Sequence, residues 1–369
     1  MTEPYSVAVI PGDLNGITVT NAALAVADAA RPFLTRPLVH TQLPYGADYF
    51  LERGITQLGP AELEKLARHD QIFLGAIGDP TKIKPGVLEI GILLKVRQAF
   101  DQYVNLRPVV LPQGVPSVLV GKGPEEINFE ICRENSEGLY VGIGRVENAG
   151  TEDEVGIQEM HCSYRGVKRL AEFAEQRARA RKRRETPTIH FVFKTNVLTY
   201  ASSPWLKVFE EFQGKPDLSV KYMHVDNFGM QMLTHPEQFD VVVIENMFGD
   251  IMTDIGAVLQ GGIGTAVSGN INPTGAYPSM FEPVHGTAPD KWYEKRDGMW
   301  VHNPELMQQM RPEAAILAYA MMLEQMGEVR AAEKMTQAAL ANIRNPGYGQ
   351  MPLDTLVENA CRALEREAA

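Results

Sequence analysis

Asp250 and Asp254 stand four residues apart in the stretch ENMFGDIMTD (245–254), where a β-branched run gives way to apolar residues at helical spacing. On a helix the two carboxylates share one face, about 6 Å apart along the axis. A hard divalent cation takes such oxygen ligands, usually one or two carboxylates completed by water and substrate. The alternative is two solvated acids near a helix N-terminus, where the dipole favours them. Arg97, Arg107 and Arg133 form a second set, each at the end or face of a predicted element. Guanidinium forks bind carboxylates bidentately and stay charged at any working pH. Converging, they suit a di- or tricarboxylate; otherwise they are three independent surface salt bridges, and only the fold decides. Lys194 closes the run TIHFVF (188–193). At the end of a buried strand a lysine can be desolvated into a general base, or it can snorkel to water.

The elements that must position these groups alternate strand with helix. Strands are predicted at 5–10, 38–43, 71–75, 127–132, 188–193 and 239–244. Helices are predicted at 20–30, 60–68, 89–100 and from 166 onward, with one beginning near Asp250 and three more after Pro312. The run ENSEGLYVGI (134–143) reads as a turn into a strand that presents Tyr140. This alternation defines an α/β fold on a largely parallel sheet with right-handed crossovers. Residues 1–108 and 265–369 are expected to form a large domain holding both termini, and 109–264 a smaller one. The segment GGIGTA (261–266) follows a helix, so no strand–GxGxxG–helix order exists and a Rossmann site is not implied.

Composition bounds the function classes. The 369 residues are 44% hydrophobic and 22% charged, ordinary for a globular chain with a large core. No apolar run approaches 18 residues, and the N-terminus lacks a basic, then apolar, leader; the expectation is a cytoplasmic protein without membrane association. Three scattered cysteines imply neither a disulfide framework nor a zinc site. A net charge of −11 disfavours nucleic-acid binding. Against that balance, RARARKRR (177–184) holds six basic residues in eight. It reads either as a phosphate-binding patch or as the solvated last turn of a helix, and the second is favoured.

Together, VRQAFDQYVNLRP (96–108), RENSEG-Y (133–140), FKTN (193–196), VDN (225–227), ENMFGDIMTD (245–254) and SMFEPVHGTAPD (279–290) resemble the β-decarboxylating dehydrogenases. That family acts on (2R)-malate-type hydroxy acids and includes isopropylmalate, isocitrate, homoisocitrate, tartrate and D-malate dehydrogenases. The resemblance covers nearly the whole chain. It implies the family's two-domain fold, a large mostly parallel mixed sheet flanked by helices. It also implies that Arg97, Arg107 and Arg133 clamp substrate carboxylates, Lys194 takes the hydroxyl proton, and Tyr140 protonates the enol carbon after carbon dioxide leaves. Asp226, Asp250 and Asp254 would hold Mg²⁺ or Mn²⁺, with a monovalent cation as a further option. Because Lys194 and Asp226 serve the partner subunit's site in this family, a homodimer is implied. His285, Gly286, Thr287 and Ala288 would approach the adenosine half of the dinucleotide. Asp290 would sit on its ribose, which favours NAD over NADP by repelling a 2′-phosphate.

Several departures bear on this. The first turn reads GDLNGITV, where the family has GDGIGPEV, so Thr18 replaces a glutamate. The segment 291–310 is longer than usual, leaving Asn303 or Arg311 as the adenine contact, with Asn303 preferred. Five residues between Gly91 and Arg97 bring the pattern nearest to the tartrate and D-malate branch. The tryptophan associated with the D-malate branch is nevertheless Ile90 here, and no serine between Glu89 and Arg97 offers a contact for a third carboxylate. Ile90, Leu93 and Leu94 offer an apolar lining for an alkyl group. The expected reaction is NAD- and metal-dependent oxidative decarboxylation of D-malate, tartrate or 3-isopropylmalate. The alternatives are a specialised-pathway 2-hydroxy acid, or a non-catalytic regulatory subunit.

Overall fold

The computed structural model describes residues 3–297 and 299–368. The chain divides into two compact units. The first comprises Met1–Gln102, Pro112–Pro116 and Gly261–Ala369, and the second Tyr103–Leu111 and Ser117–Gln260. Arg97 therefore belongs to the first unit, and Arg107, Arg133, Tyr140, Lys194 and the three aspartates to the second. Among the described residues the mixed sheet counts ten strands, five of them in each unit.

In the first unit the strand order is Leu38–Gln42, Tyr5–Ile10, Gln71–Leu74, Ser279–Pro283, Val267–Ile271. The first four are parallel and the last is antiparallel. Alternation along the strands splits the core between two faces. Ala8, Ile10, Ile72, Leu74 and Met280 pack with Phe50, Leu88, Ile92 and Val96 on one side. On the other side Phe73 meets Tyr319 edge-on, with ring centroids 5.1 Å apart, beneath the helix Glu313–Gln325.

In the second unit Val104–Val110 runs antiparallel to Asn128–Glu134. Val241–Ile244, Thr188–Phe193 and Ser219–His224 follow in parallel. Every residue of Val241–Ile244 and Thr188–Phe193 is buried, as parallel strands covered on both faces require. His190 shares that burial. Its ring meets Phe239 edge-on at 4.8 Å, and neither nitrogen has a hydrogen-bond partner among the described residues. Burial, then the positive charges of Lys221 and Arg184, pushes its pKa down to about 4.

The basic run closes the helix Tyr164–Arg181 and is structural. Arg177 and Arg181 both donate to Glu130, and Arg181 also to Asp240, two carboxylates buried at 3% and 0% exposure. Burial alone would raise the Glu130 pKa, yet the two guanidinium groups hold it below the ordinary value. Arg179 joins Glu175 and Asp217, while Arg183 and Arg184 donate to the carbonyls of Phe239, Glu125 and Glu237. With these guanidinium groups engaged in intrachain contacts, little is left for a phosphate-binding patch.

The helix expected at 20–30 spans Asn15–Ala29, and three further stretches differ from the sequence expectation or add to it. The helix predicted at 89–100 is a π-helix over Glu89–Leu94 followed by an α-helix over Lys95–Ala99. A Cβ on Gly91 would lie 2.3 Å from the Thr56 carbonyl oxygen, and the Gly91 carbonyl accepts from Leu58 N–H at 2.9 Å; this docking competes with the regular α ladder. Tyr140 lies on a 3₁₀ turn, Leu139–Val141, rather than on a strand; the strand Gly144–Glu147 comes later and pairs with Val155–Gln158 in an exposed arm. The long segment after Asp290 contains a hairpin of Tyr293–Arg296 and Met299–His302 and a short helix, Pro304–Met307. Tyr293 joins Ala22, Met310 and Leu353 in a small buried cluster, with Leu14, Trp292, Trp300 and Met307 packed against it. Among the described residues no helix is long and apolar enough to cross a membrane.

Candidate active site

The second unit builds its site on the helix Asn246–Leu259, which follows directly from the buried strand Val241–Ile244. The helix starts four residues before the Asp250 start expected from the apolar repeat, because Glu245 caps it, accepting from Phe248 N–H at 3.1 Å. Asp250 and Asp254 thus lie one and two turns in, on one face. Arg133, at the end of its strand and 1% exposed, forms an ion pair with Asp250. Its Nε donates to Asn246 Oδ1 at 3.0 Å. The Tyr140 hydroxyl donates to the other Asp250 oxygen at 2.7 Å, and the Arg133 guanidinium lies 5.3 Å from the Tyr140 ring centroid. Arg107 reaches Asp254 at 3.4 Å and Asn105 at 2.9 Å. Two arginines, one phenol and two carboxylates are therefore gathered along one helix face.

Lys194 and Asp226 form a pair of their own at 2.9 Å. The lysine's donated hydrogen bond holds the Asp226 carboxyl below its usual range. Among the described residues no three His, Cys, Asp or Glu side chains are grouped closely enough to hold a metal ion. Asp250 and Asp254 still fit a hard divalent cation as an incomplete shell, two oxygen donors with their side chains 42% and 68% exposed.

In the first unit Arg97 is buried and paired with Glu282 at 3.3 Å, and Asn270 also donates to Glu282 at 2.8 Å. Ile90 is exposed, while Leu93 and Leu94 are half-buried on the π-helix and the turn into the next. The loop after Glu282 carries His285, whose Nε2 is buried with no partner among the described residues. Burial pushes its pKa down, so the ring is neutral near pH 7. The Gly286 carbonyl accepts from Asn15 at 3.3 Å, and a side chain at Gly286 would meet nothing within 4 Å. Thr287 is buried, Ala288 takes a left-handed φ of 38°, and Asp290 is exposed in the first turn of Pro289–Trp292. An orphaned imidazole nitrogen beside an open backbone fits a dinucleotide. Asn303 is committed elsewhere: its Oδ1 caps Pro304–Met307, accepting from Glu305 and Leu306 N–H, and its Nδ2 donates to Glu294 at 2.5 Å. Arg311 donates to the carbonyls of Met310, Met351 and Gly349. Near the first turn the unit holds a cleft of about 710 Å³, lined by Asp13, Thr18, Gln42, Asp48, Lys82 and Tyr293 among others.

Sequence reasoning missed Glu245, Asn246 and Glu282. The first two sit at a strand–helix junction, where a side-chain acceptor is a cap signal, but glutamate is a weak version of it.

The profile of the isocitrate/isopropylmalate dehydrogenase family matches residues 6–364. The 3-isopropylmalate dehydrogenase of Clavibacter michiganensis subsp. michiganensis is 43% identical over 348 residues, 93% of this chain and 92% of the relative. That of Thermobifida fusca is 43% identical over 339 residues, 91% and 90% of the two chains. Among solved structures, isocitrate dehydrogenase from Methylococcus capsulatus superposes with a TM-score of 0.81 at 27% identity, covering 98% of this chain and 99% of that one. The TT0538 protein from Thermus thermophilus gives 0.81 at 28% identity, covering 98% and 69%. The fold and these matches define a decarboxylating dehydrogenase. The chain belongs to the isocitrate/isopropylmalate dehydrogenase family. The leaning toward the tartrate and D-malate branch finds no support, since these relatives are named 3-isopropylmalate dehydrogenases; a five-residue spacing before Arg97 is too short a signal to outweigh similarity along the whole chain.

Proposed function

We propose that the protein catalyses the NAD- and divalent-metal-dependent oxidative decarboxylation of a (2R)-malate-type acid bearing an alkyl group, with 3-isopropylmalate as the leading substrate. The observation that carries the reading is the convergence of Arg107, Arg133 and Tyr140 on Asp250 and Asp254 along one helix face. The relatives' names and the apolar side chains of Ile90, Leu93 and Leu94 support an alkyl-bearing acid.

Arg107 and Arg133 hold the substrate carboxylates, displacing part of their present pairing with the aspartates; Arg97 supplies a third fork. Lys194 takes the C2 hydroxyl proton as the alcohol becomes a ketone. Asp250 and Asp254, with Asp226 contributed by a second copy, would hold the divalent cation, which would supply Lewis-acid stabilisation of the negative charge left as carbon dioxide departs, and the bound dinucleotide would supply the hydride acceptor. Tyr140 then returns a proton to the carbon. His285, Gly286, Thr287, Ala288 and the ribose-facing Asp290 receive the adenosine half. Asn303, with Arg311 as the alternative, is the residue for the adenine contact, exchanging part of its present pairing for the base.

Lys194 and Asp226 act in the site of a second copy, so the working unit is a homodimer. Exposed Met230 and Leu233 on Val225–Thr234, with Met247, Ile251 and Val258 on Asn246–Leu259, supply an apolar face suited to association. The test is NADH formation with Mn²⁺ or Mg²⁺ across 3-isopropylmalate, isocitrate, homoisocitrate, D-malate and the tartrates. A clear preference for 3-isopropylmalate with stoichiometric release of carbon dioxide is expected; turnover of none of them overturns the reading.

A further inference from the structure

Glu245 is used by none of the steps above, yet it is 1% exposed and lies at the junction that carries the site. Its Oε2 caps the helix of Asp250 and Asp254. Its Oε1 has no hydrogen-bond partner among the described residues, and it faces Gly138, two residues before Tyr140. A Cβ built on Gly138 would lie 2.2 Å from that oxygen and 3.1 Å from Cβ of Asn246. The α-hydrogen that takes the place of this Cβ therefore points at the carboxylate, the arrangement of a Cα–H···O contact. Gly138 adopts a φ of 80°, and it is held from the other side by His161, with 2.7 Å and 3.2 Å bonds in the two directions. One residue earlier, the Glu137 carbonyl accepts from Asn246 Nδ2 at 2.8 Å. The turn that presents Tyr140 is thus clamped between His161 on one side and, on the other, the capping residue and first residue of the helix bearing Asp250.

We propose that Glu245 is a positioning residue for Tyr140: by reaching Gly138 it fixes the height of the Leu139–Val141 turn over the Asn246–Leu259 helix, and so the place from which the phenol delivers its proton. The reach of the side chain does this, separately from its capping of the helix. Aspartate is among the best capping residues, yet it is one methylene too short to touch Gly138. Glutamine keeps the reach and one of the two acceptor oxygens, enough for the cap. The burial that raises the Glu245 pKa also makes glutamine an inexpensive replacement.

This inference rests on the reading of Tyr140 as the carbon acid, and the experiment separates the two. The full-length protein is incubated in D₂O with Mn²⁺, NADH and 2-oxoisocaproate, the keto acid that 3-isopropylmalate would yield. Exchange at the carbon next to the carbonyl is followed by NMR. In each exchange event the phenol of Tyr140 first loses its own proton to solvent, the phenolate oxygen takes a proton from that carbon to leave the enolate, and after solvent exchange at the oxygen a deuteron returns to the carbon. Glu245→Asp should slow exchange by about tenfold or more, with Tm held within about 2 °C and NAD affinity by titration within about twofold. Glu245→Gln should stay within about threefold of wild type in exchange rate. Wild-type exchange in Glu245→Asp, or equal slowing in Glu245→Asp and Glu245→Gln, overturns the inference. Tyr140→Phe is the control. If it exchanges at the wild-type rate, the acid role of Tyr140 fails and this inference falls with it. If it is silent while Glu245→Asp is normal, only Glu245 loses its assignment.

Discussion

The Tyr140 hydroxyl and the Asp250 carboxylate share a 2.7 Å hydrogen bond in which the phenol donates. The phenol therefore keeps its proton while its oxygen is held beside the helix that carries both candidate metal ligands. Asp250 is also paired with Arg133, so its charge is divided between an acid and a clamp. A ligand that draws Arg133 away changes the surroundings of Tyr140 at the same moment.

Replacing Tyr140 with phenylalanine removes the proton and keeps the ring over Arg133. General acid catalysis of this kind contributes about 10²–10⁴ in rate. Steady-state turnover should fall by that order while a first burst of NADH survives, because hydride loss precedes the protonation. Rapid-mixing absorbance at the NADH band checks it. Loss of the burst together with the steady state would move Tyr140 to the oxidation step.

Asn246→Ala should loosen Arg133 without touching a reacting group. The side chain is 1% exposed and serves both Arg133 Nε and the Glu137 carbonyl. Removing it leaves a buried charged donor and a carbonyl short of partners, a loss of about 1–3 kcal/mol for each such group. Denaturant unfolding should register that loss, and KM for the hydroxy acid should rise more than kcat falls, since a carboxylate clamp acts mainly on binding. An unchanged KM would place Arg133 outside the substrate site.

Much of this arrangement can be read in the amino-acid order, and the exceptions share a cause. The run 188–193 is strand at its predicted bounds, because a short, fully buried run rich in β-branched and aromatic residues pairs its backbone best within a sheet. Asp250 and Asp254 share a face because helical spacing leaves no choice. The misses occur where tertiary contacts override local preference. Gly91 is pulled against Thr56, which turns an expected α-helix into a π-helix. Gly138 is held by Glu245 and His161, partners 107 and 23 residues away in sequence, so Tyr140 is presented by a turn. The partners of Asn303, a helix start and Glu294, are likewise set by a hairpin that forms after Asp290. No local pattern reveals such partners.

His190 should make the protein labile in acid. Its pKa is pushed down from 6.5 to about 4 in the fold, so the native imidazole stays neutral where the unfolded one is protonated. Above about pH 6.5 neither state binds the proton and there is no penalty. Between about 6.5 and 4 the unfolded chain binds it and the native chain does not, so stability falls with pH, by up to about 3 kcal/mol. His190→Leu removes this group's contribution and should flatten that part of the stability curve. Urea titrations from pH 7.5 to 4.5 on both proteins measure it. Parallel curves would show that protonated His190 finds a hydrogen-bond acceptor in the native state.

Arg181 is the keystone of the basic run, donating to Glu130, Asp240 and the carbonyl and side-chain oxygens of Asn128. Removing its charge strands part of two buried carboxylates. Breaking a buried pair by deleting one partner typically costs about 3–5 kcal/mol. Because Arg177 still serves Glu130, the loss for Arg181→Met should fall at the lower end of that range and show in denaturant unfolding. A surface patch for nucleic acid would behave in the opposite way, with stability unmoved and affinity for mixed-sequence DNA at low salt reduced, since phosphate contacts strengthen as salt falls. The expected result is a destabilised protein with no DNA binding before or after the substitution. Salt-dependent DNA binding by the wild type, lost in Arg181→Met at constant stability, would return the run to an interaction role.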